Sequence, residues 1–186
     1  MGLKYIADHI IDICENAVNS GSENAILNIQ EEGDEFFSFS VQDFGKGISK
    51  EKLELVLDPF YTEKKKKIKF GLGLPLLKYA TEQTGGNFTI KSEKGTGTKV
   101  SAIFITSNID CQPIGNIPDA LTIIFTMREN FYWQIQRTKN GESYEISTES
   151  VENILGKDFI FSPKKVKILT ELINDMENSL GGDNGV

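Results

Sequence analysis

Apolar residues recur with two different periods along the first part of the chain, and each period predicts a different element. In residues 5–18 they are spaced four, three and four positions apart, which gives one stripe of an amphipathic helix. The stripe consists of Ile6, Ile10, Ile13 and Ala17. Residues 25–30 and 36–42 instead alternate between apolar and polar side chains, as strands do when one face of a sheet is buried. The pattern therefore predicts a helix followed by an antiparallel pair of strands.

Local sequence patterns also predict the elements that follow. Residues 50–57 predict a short helix that begins after Ser49, and a glycine-rich segment leads into another helix with Pro75 in its first turn. Residues 87–92 and 98–105 predict a second pair of strands. Because the strands come in consecutive pairs, we expect an α+β fold. It is a two-layer sandwich in which helices cover one face of a mixed, largely antiparallel sheet.

The domain predicted from these elements spans residues 1–106, followed by a small α+β extension, residues 107–180, and a disordered tail, residues 181–186. In the extension, "DALTIIFTMR" fits either a helix or a buried strand. The segment "FYWQIQRTKNGESYEIS" predicts a hairpin that turns at Asn140-Gly141, and "SPKKVKILTELINDMENSL" predicts an amphipathic helix. Whether the extension packs on the sheet or stands apart stays open.

Composition narrows the classes of partner. The net charge of −7 argues against nucleic acid as a partner, since nucleic-acid-binding surfaces are basic. No apolar run reaches the length that spans a membrane, and the first residues lack the uninterrupted apolar segment of a signal peptide. Two cysteines form neither a disulfide framework nor a metal cluster. We therefore expect a cytoplasmic protein with no membrane partner.

The segment "SVQDFGKGIS" permits two interpretations. Asp43-Phe44-Gly45 matches the magnesium-binding motif of protein kinases, but that fold needs a glycine-rich loop and a lysine strand well upstream. Only 42 residues precede Asp43, and the single histidine, His9, is followed by isoleucine rather than by arginine. His9 also lies within the first predicted helix, so we expect it to be structural. The protein-kinase interpretation fails, and a D-x-G-x-G turn remains.

Five short motifs stand in a fixed order around this turn. They are Asp12 with Asn16, Asp43-x-Gly45-x-Gly47, "DPFYT", Gly71-Leu72-Gly73-Leu74, and "GTGT". In this order they resemble the N, G1, F, G2 and G3 boxes of the GHKL superfamily, whose members include DNA gyrase, heat-shock chaperone ATPases, sensor histidine kinases and mismatch-repair ATPases. The resemblance covers residues 9 to about 106 and implies the histidine-kinase-like (Bergerat) ATPase fold. It also implies that the chain binds ATP with Mg²⁺.

The resemblance assigns a role to each box. Asp43 would accept a hydrogen bond from the adenine amino group, while Gly45 and Gly47 would let the backbone approach the base. Asn16 would contribute a neutral oxygen ligand to Mg²⁺, and Lys64, in a lid at residues 61–70, would contact phosphate. Thr98 would contact adenine through a water molecule. A threonine with only a structural role in the strand agrees with the sequence almost as well. The implied cofactor-binding residues are Asn16, Asp43, Gly45, Gly47, Ile48, Phe60, Lys64, Gly71, Leu72, Gly73, Leu74 and Thr98.

Asp12 is the candidate catalytic residue. Gyrase-like members carry a glutamate four residues before the asparagine as general base, whereas histidine kinases usually carry a polar residue without that role. An aspartate here could orient water, help hold Mg²⁺ or activate a hydroxyl group of a partner. The "DPFYT" motif and the lysines of the lid favour transfer of the γ-phosphate to a separate protein partner, with an ATP-gated binding module and a slow ATPase as alternatives. A homodimer is a further expectation, in which Tyr132 and Trp133 of the hairpin could supply the interface, although aromatic side chains of this kind more often belong to the core.

Overall fold

The structure is a computed structural model that describes residues 3–57 and 72–180. The predicted lid, the "DPFYT" segment and the C-terminal tail lie outside the described residues, as do Phe60, Lys64 and Gly71. The assignments made to those three residues therefore remain predictions. Of the helices in the described ranges, none is long and apolar enough to cross a membrane.

Helices and strands follow the predicted order closely. The strands are β1 (Asn24–Glu32), β2 (Phe36–Asp43), β3 (Asn87–Glu93), β4 (Gly97–Ile105), β5 (Tyr132–Lys139) and β6 (Glu142–Ser147). The helices are α1 (Ile6–Val18), α2 (Lys50–Leu55), α3 (Gly73–Gln83), α4 (Ile117–Thr126), α5 (Thr148–Leu155) and α6 (Pro163–Ser179), with a 3₁₀ turn at Phe159–Phe161. The helix α5 is the one regular helix among the described residues that the apolar pattern did not indicate.

All six strands belong to one sheet, in the order β3-β4-β2-β1-β5-β6. Every neighbouring pair is antiparallel except β1 and β5, which are parallel. This arrangement confirms the predicted α+β class with a mixed, largely antiparallel sheet. It also answers the question of the extension, because β5 and β6 continue the sheet of the first domain rather than forming a separate body.

Alternation along β2 explains why the helices lie on one face. Phe37, Phe39 and Val41 are at most 3% exposed and point into the core, whereas Ser38 and Ser40 are partly exposed on the opposite face. The apolar stripe of α1 packs on the buried face, with Ile6 and Ile10 fully buried. The apolar face of the strand, with its period of two, and the apolar face of the helix, with its period near 3.6, thus pack together in a single layer.

The ambiguous segment of the extension is a helix. Asn116 begins α4, because its side-chain oxygen accepts a hydrogen bond from the backbone N–H of Asp119 at 3.1 Å, and Pro118 lies in the first turn. The helix packs between α1 and α6 and is buried on most sides, which is why its apolar run carried no clear period. A polar contact between α4 and α6 joins the hydroxyls of Thr122 and Thr170 at 3.1 Å.

The short helix α5 escaped prediction because its start signal is local and unusual. Ser147 and Ser150 cap it reciprocally, with each backbone N–H donating to the other side chain at 2.9 and 3.1 Å. A serine rather than a glutamate at the third helical position makes this signal hard to recognise from sequence. Gly156, with φ of 85°, ends the helix.

A buried ionic cluster fastens the extension to the first domain. Arg137 of β5 is 1% exposed and donates hydrogen bonds to Glu31 of β1 and to Glu177 of α6, the latter at 2.7 Å. Tyr144 of β6 donates its hydroxyl to the other oxygen of Glu177 at 3.0 Å. Burial alone would lower the pKa of Arg137, but the two carboxylates raise it, so the guanidinium stays charged. Sequence analysis gave no indication of this cluster.

Removing one acidic member of this cluster should be strongly destabilising. In Glu177→Ala the guanidinium of Arg137 keeps its burial but loses the three charge-assisted hydrogen bonds that it donates to this carboxylate. We expect the free energy of unfolding to fall by about 3 kcal/mol. Urea denaturation followed by circular dichroism measures this change. The matched control is Glu171→Ala on the same helix, where an exposed pair with Lys167 should contribute at most about 0.5 kcal/mol. Equal losses in the two variants would contradict the prediction.

Candidate nucleotide-binding site

The carboxylate at the end of β2 faces the helix layer. Asp43 is 7% exposed and lies opposite Thr98 of β4 on one side and Ala25 of β1 on the other. Its Oδ1 accepts a hydrogen bond from the N–H of Gly45 at 2.9 Å, whereas Oδ2 has no hydrogen bond to any described residue. One oxygen therefore holds the turn, and the other is left to accept a hydrogen bond from a ligand.

Glycines in this turn are required by contacts within the protein. Gly47 has φ of 60°, and a Cβ there would overlap the carbonyl oxygen of Glu93. A side chain on Gly97, whose φ is 106°, would likewise overlap the carbonyl oxygen of Asp43. A Cβ on Gly45 would lie 2.6 Å from the carbonyl oxygen of Ser20. The turn after β2 thus packs directly against the turn between β3 and β4 and against the end of α1.

Ser92 joins the two turns, and sequence analysis missed it. Its hydroxyl donates to the carbonyl oxygen of Gly97 at 2.9 Å and accepts from the N–H of Ile48 at 2.8 Å. The hydroxyl of Thr98 lies 2.8 Å away and must donate to Ser92, whose single proton is already used. Thr98 keeps its own lone pairs to accept a hydrogen bond. The signal that could have identified Ser92 is its place at the last inward-facing position of β3, directly opposite Thr98 of β4.

On the helix side, α1 and α3 bring two further motifs together. A Cβ on Gly73, the first residue of α3, would overlap the Oδ2 atom of Asp12, so the start of α3 packs closely against this carboxylate. Burial, together with the nearby charge of Glu15, raises the pKa of Asp12. Asn16 lies one turn further along the same partly buried face of α1. The structure thus joins the predicted N and G2 boxes.

The start of α3 is suited to hold phosphate. Leu72 precedes the helix without capping it through a side chain, so the free N–H groups of the first turn have no side-chain acceptor among the described residues. Leu72 is 59% exposed, whereas Leu74 packs partly against the core. Free N–H groups and the helix dipole together favour an anionic ligand at this point.

The chemistry of these side chains fits Mg²⁺-ATP. A buried carboxylate with one free oxygen suits the adenine amino group, and the uncapped helix start suits phosphate oxygens. Asn16 offers one neutral oxygen to Mg²⁺, which commonly takes its remaining ligands from phosphate and water. No group of three metal-binding side chains occurs within residues 3–57 and 72–180, so the phosphates would have to supply much of the coordination.

His9 has a structural environment. It is 2% exposed, and its Nε2 donates to Oε1 of Gln112 at 3.0 Å, because the amide nitrogen of Gln112 already donates to the carbonyl oxygen of Leu3. Burial lowers the pKa of His9, although its bond to Gln112 and the charge of Asp8 oppose that shift. The Nδ1 atom is buried and has no hydrogen-bond partner among the described residues. Because this imidazole is neutral and buried, it is not accessible to accept a phosphoryl group.

Comparison with known proteins finds related domains. The family model described as "Histidine kinase-, DNA gyrase B-, and HSP90-like ATPase" matches residues 5–107. Similar curated proteins include hybrid signal transduction histidine kinase E of Dictyostelium discoideum, 38% identical over 80 residues, which are 41% of this chain and 5% of that protein. Sensor protein SrrB of Staphylococcus aureus is 33% identical over 100 residues, which are 52% of this chain and 17% of that protein. Sensor histidine kinase ZraS of Escherichia coli is 28% identical over 90 residues, which are 48% of this chain and 19% of that protein.

A solved structure extends the likeness in fold beyond the family match. The crystal structure of the N-terminal domain of a DNA repair protein superimposes with a TM-score of 0.59 and 14% identity, covering 84% of this chain and 58% of that one. Fold and site together define a nucleotide-binding α+β domain of the GHKL type. The chain belongs to the family of histidine kinase-, DNA gyrase B- and HSP90-like ATPases. It is therefore an ATP-binding, histidine-kinase-like domain, and the matched segment corresponds to less than a fifth of each of these three curated relatives.

Loss of the Ser92 hydroxyl should weaken nucleotide binding without changing its dependence on Mg²⁺. In Ser92→Ala, the N–H of Ile48 and the hydroxyl of Thr98 lose their shared acceptor, and we expect ATP affinity to fall about tenfold. Isothermal titration with and without Mg²⁺ measures the affinity and should show that its Mg²⁺ dependence is retained. Ser101→Ala, on the opposite face of β4, is the matched control and should bind normally. Equal affinity in wild type and Ser92→Ala would contradict the positioning role.

Proposed function

We propose that the chain binds Mg²⁺-ATP and transfers its γ-phosphate to a hydroxyl, imidazole or carboxylate group of a separate protein partner. Asp43 would accept the adenine amino group, Thr98 would hold a bridging water, and the first turn of α3 would hold the phosphates. Asn16 would ligate Mg²⁺, and Lys64 would contact the γ-phosphate. The acceptor would come from another protein, as the burial of His9 leaves this chain's single imidazole unsuited to that role.

The contact between Asp12 and Gly73 is the observation that carries this proposal. It sets a carboxylate directly beside the helix start at which the terminal phosphates would bind. A group at that point can accept the proton of an attacking nucleophile, and its raised pKa brings it nearer to the value of an effective base. The likeness to sensor histidine kinases supports a protein, rather than water, as the source of that nucleophile.

A slow ATPase is the second candidate, favoured by the same carboxylate. If water reaches the γ-phosphate, Asp12 would orient it or accept its proton, as a glutamate would at this position. The side chain of aspartate is one methylene shorter, so a water held by it would lie further from the phosphate. We therefore rank hydrolysis below transfer.

Following the γ-phosphate of labelled ATP separates these candidates. The protein is incubated alone and then with extract from its own cell, and label is sought on protein and in free phosphate. We expect label on a second protein, and its loss in Asn16→Ala because that variant lacks the proposed Mg²⁺ ligand. Free phosphate alone would favour the ATPase. Tight nucleotide binding with no label transferred or released would overturn both in favour of an ATP-gated binding module.

The adenine assignment has its own test. In Asp43→Asn, Oδ1 can still hold the turn through Gly45, but an NH₂ group replaces the free oxygen and opposes the adenine amino group. We expect ATP affinity to fall at least about 100-fold, equivalent to about 2.7 kcal/mol, with the fold retained. Isothermal titration measures the change, and Asp34→Asn, exposed in the turn before β2, should bind as wild type does. Unchanged affinity in Asp43→Asn would refute the pocket.

A further inference from the structure

A second concave site lies at the same end of the sheet as the adenine site. It is a cavity of ≈ 580 Å³ formed by the first residues of β1 and β5, the last residues of β6 and the first turn of α5. Phe44, which directly follows Asp43, forms one wall of this groove, and Tyr132 forms part of its lining. Its volume lies within the range of sites that bind ligands of substantial size.

The lining combines exposed aromatic rings with acidic groups. Phe44 is 47% exposed and Tyr132 is 49% exposed, so about half of each side chain is open to a ligand. Glu145 of β6 and Glu149 of α5 also line the groove, and no basic side chain does so. Within the described ranges, neither carboxylate forms an ion pair. The chemistry complementary to this surface is a cation that also offers apolar contact.

An arginine or lysine side chain has that chemistry. A guanidinium can stack on the faces of Phe44 or Tyr132 and pair with a carboxylate at the same time, while its methylene groups cover apolar surface. Trp133 is 2% exposed and belongs to the core, so Tyr132 alone of the two predicted interface aromatics is available on the surface.

The neighbouring strand indicates that the cation belongs to a polypeptide. In the sheet order β6 is an edge strand, paired on one side with β5, so backbone groups on its other side are unpaired within the sheet. An extended chain that places a basic side chain in the groove can pair with this edge, as peptides do when they add a strand to a sheet. A free polyamine would use the acidic groups but not the edge.

We propose that the groove formed by Phe44, Tyr132, Glu145 and Glu149 binds an extended, arginine- or lysine-bearing segment of a partner protein. This site is separate from the nucleotide pocket and does not require phosphate transfer, so it stands if the proposed kinase activity fails. It adjoins the nucleotide site, because Phe44 directly follows Asp43 and its N–H donates to the hydroxyl oxygen of Ser22 at 3.2 Å. The proposal therefore concerns where a partner docks, whatever the chemistry that follows.

Two small peptides of matched shape test the groove. Acetyl-Arg-Leu-Arg-amide is titrated into the ¹⁵N-labelled full chain and compared with acetyl-citrulline-Leu-citrulline-amide, which has nearly the same shape but no charge. We expect saturable amide shifts centred on Phe44, Tyr132 and Gln134 with the arginine peptide, and at least tenfold weaker binding of the citrulline peptide. Shifts centred elsewhere, or equal binding of both peptides, would overturn the proposal.

Variants supply the second arm of this experiment. Glu145→Gln combined with Glu149→Gln should weaken the arginine peptide at least tenfold, whereas Glu142→Gln, exposed on the same hairpin but outside the groove, should leave its affinity unchanged. Both substitutions lie on the surface, and an unchanged spectrum away from the groove verifies the fold. Spermidine competing with the peptide at equal or lower concentration would show a site for free polyamines and would also overturn the proposal.

Discussion

The position of β2 between β1 and β4 is the constraint on which the nucleotide site depends. Antiparallel pairing on both sides sets the register of β2, so that Asp43 falls opposite Thr98 and Ala25 at the edge of the helix layer. A shift of one residue would turn Asp43 to the open face and expose Phe37, Phe39 and Val41, which are now buried. The apolar core therefore fixes the position of the Asp43 carboxylate through the register of β2.

The turn after β2 and the turn between β3 and β4 complete the pocket through backbone contacts. Gly47 and Gly97 are each pressed against a carbonyl oxygen of the other turn or its strand, and Ser92 ties the pair together with three hydrogen bonds. Such a turn pair has little freedom to move independently. A ligand that contacts Asp43 and Thr98 therefore meets a preformed surface and needs little reordering of the chain to bind.

The extension is part of this framework because its first strand adds to β1 in parallel. Parallel pairing requires a crossover, which α4 provides on the helix side of the sheet. The cluster of Arg137, Glu31, Glu177 and Tyr144 then ties the last helix to the new edge of the sheet. This connection places the groove beside Phe44, since β5 begins and β6 ends at the side of the sheet where β2 ends.

Local pattern predicted much of this molecule. The stripe of α1, the alternation of β2 and the turn at Asn140-Gly141 depend on neighbouring residues, and each is present where the pattern indicated it. The order of the glycine motifs and polar residues likewise identified the family and the residues at the turn after β2. By contrast, α4 stayed ambiguous because burial on most sides erases its period, and α5 starts with a cap that has no common signature.

The amino-acid sequence by itself determined the periods, the turns and the motif set, because these depend on separations of a few residues. Only the tertiary structure decided which distant groups meet. The contact of Asp12 with Gly73, the bonds of Ser92 to both turns, and the burial of Arg137 between Glu31 and Glu177 join residues far apart in the chain. Such contacts follow from strand register and helix packing, which are properties of the whole core and cannot be deduced from any one segment.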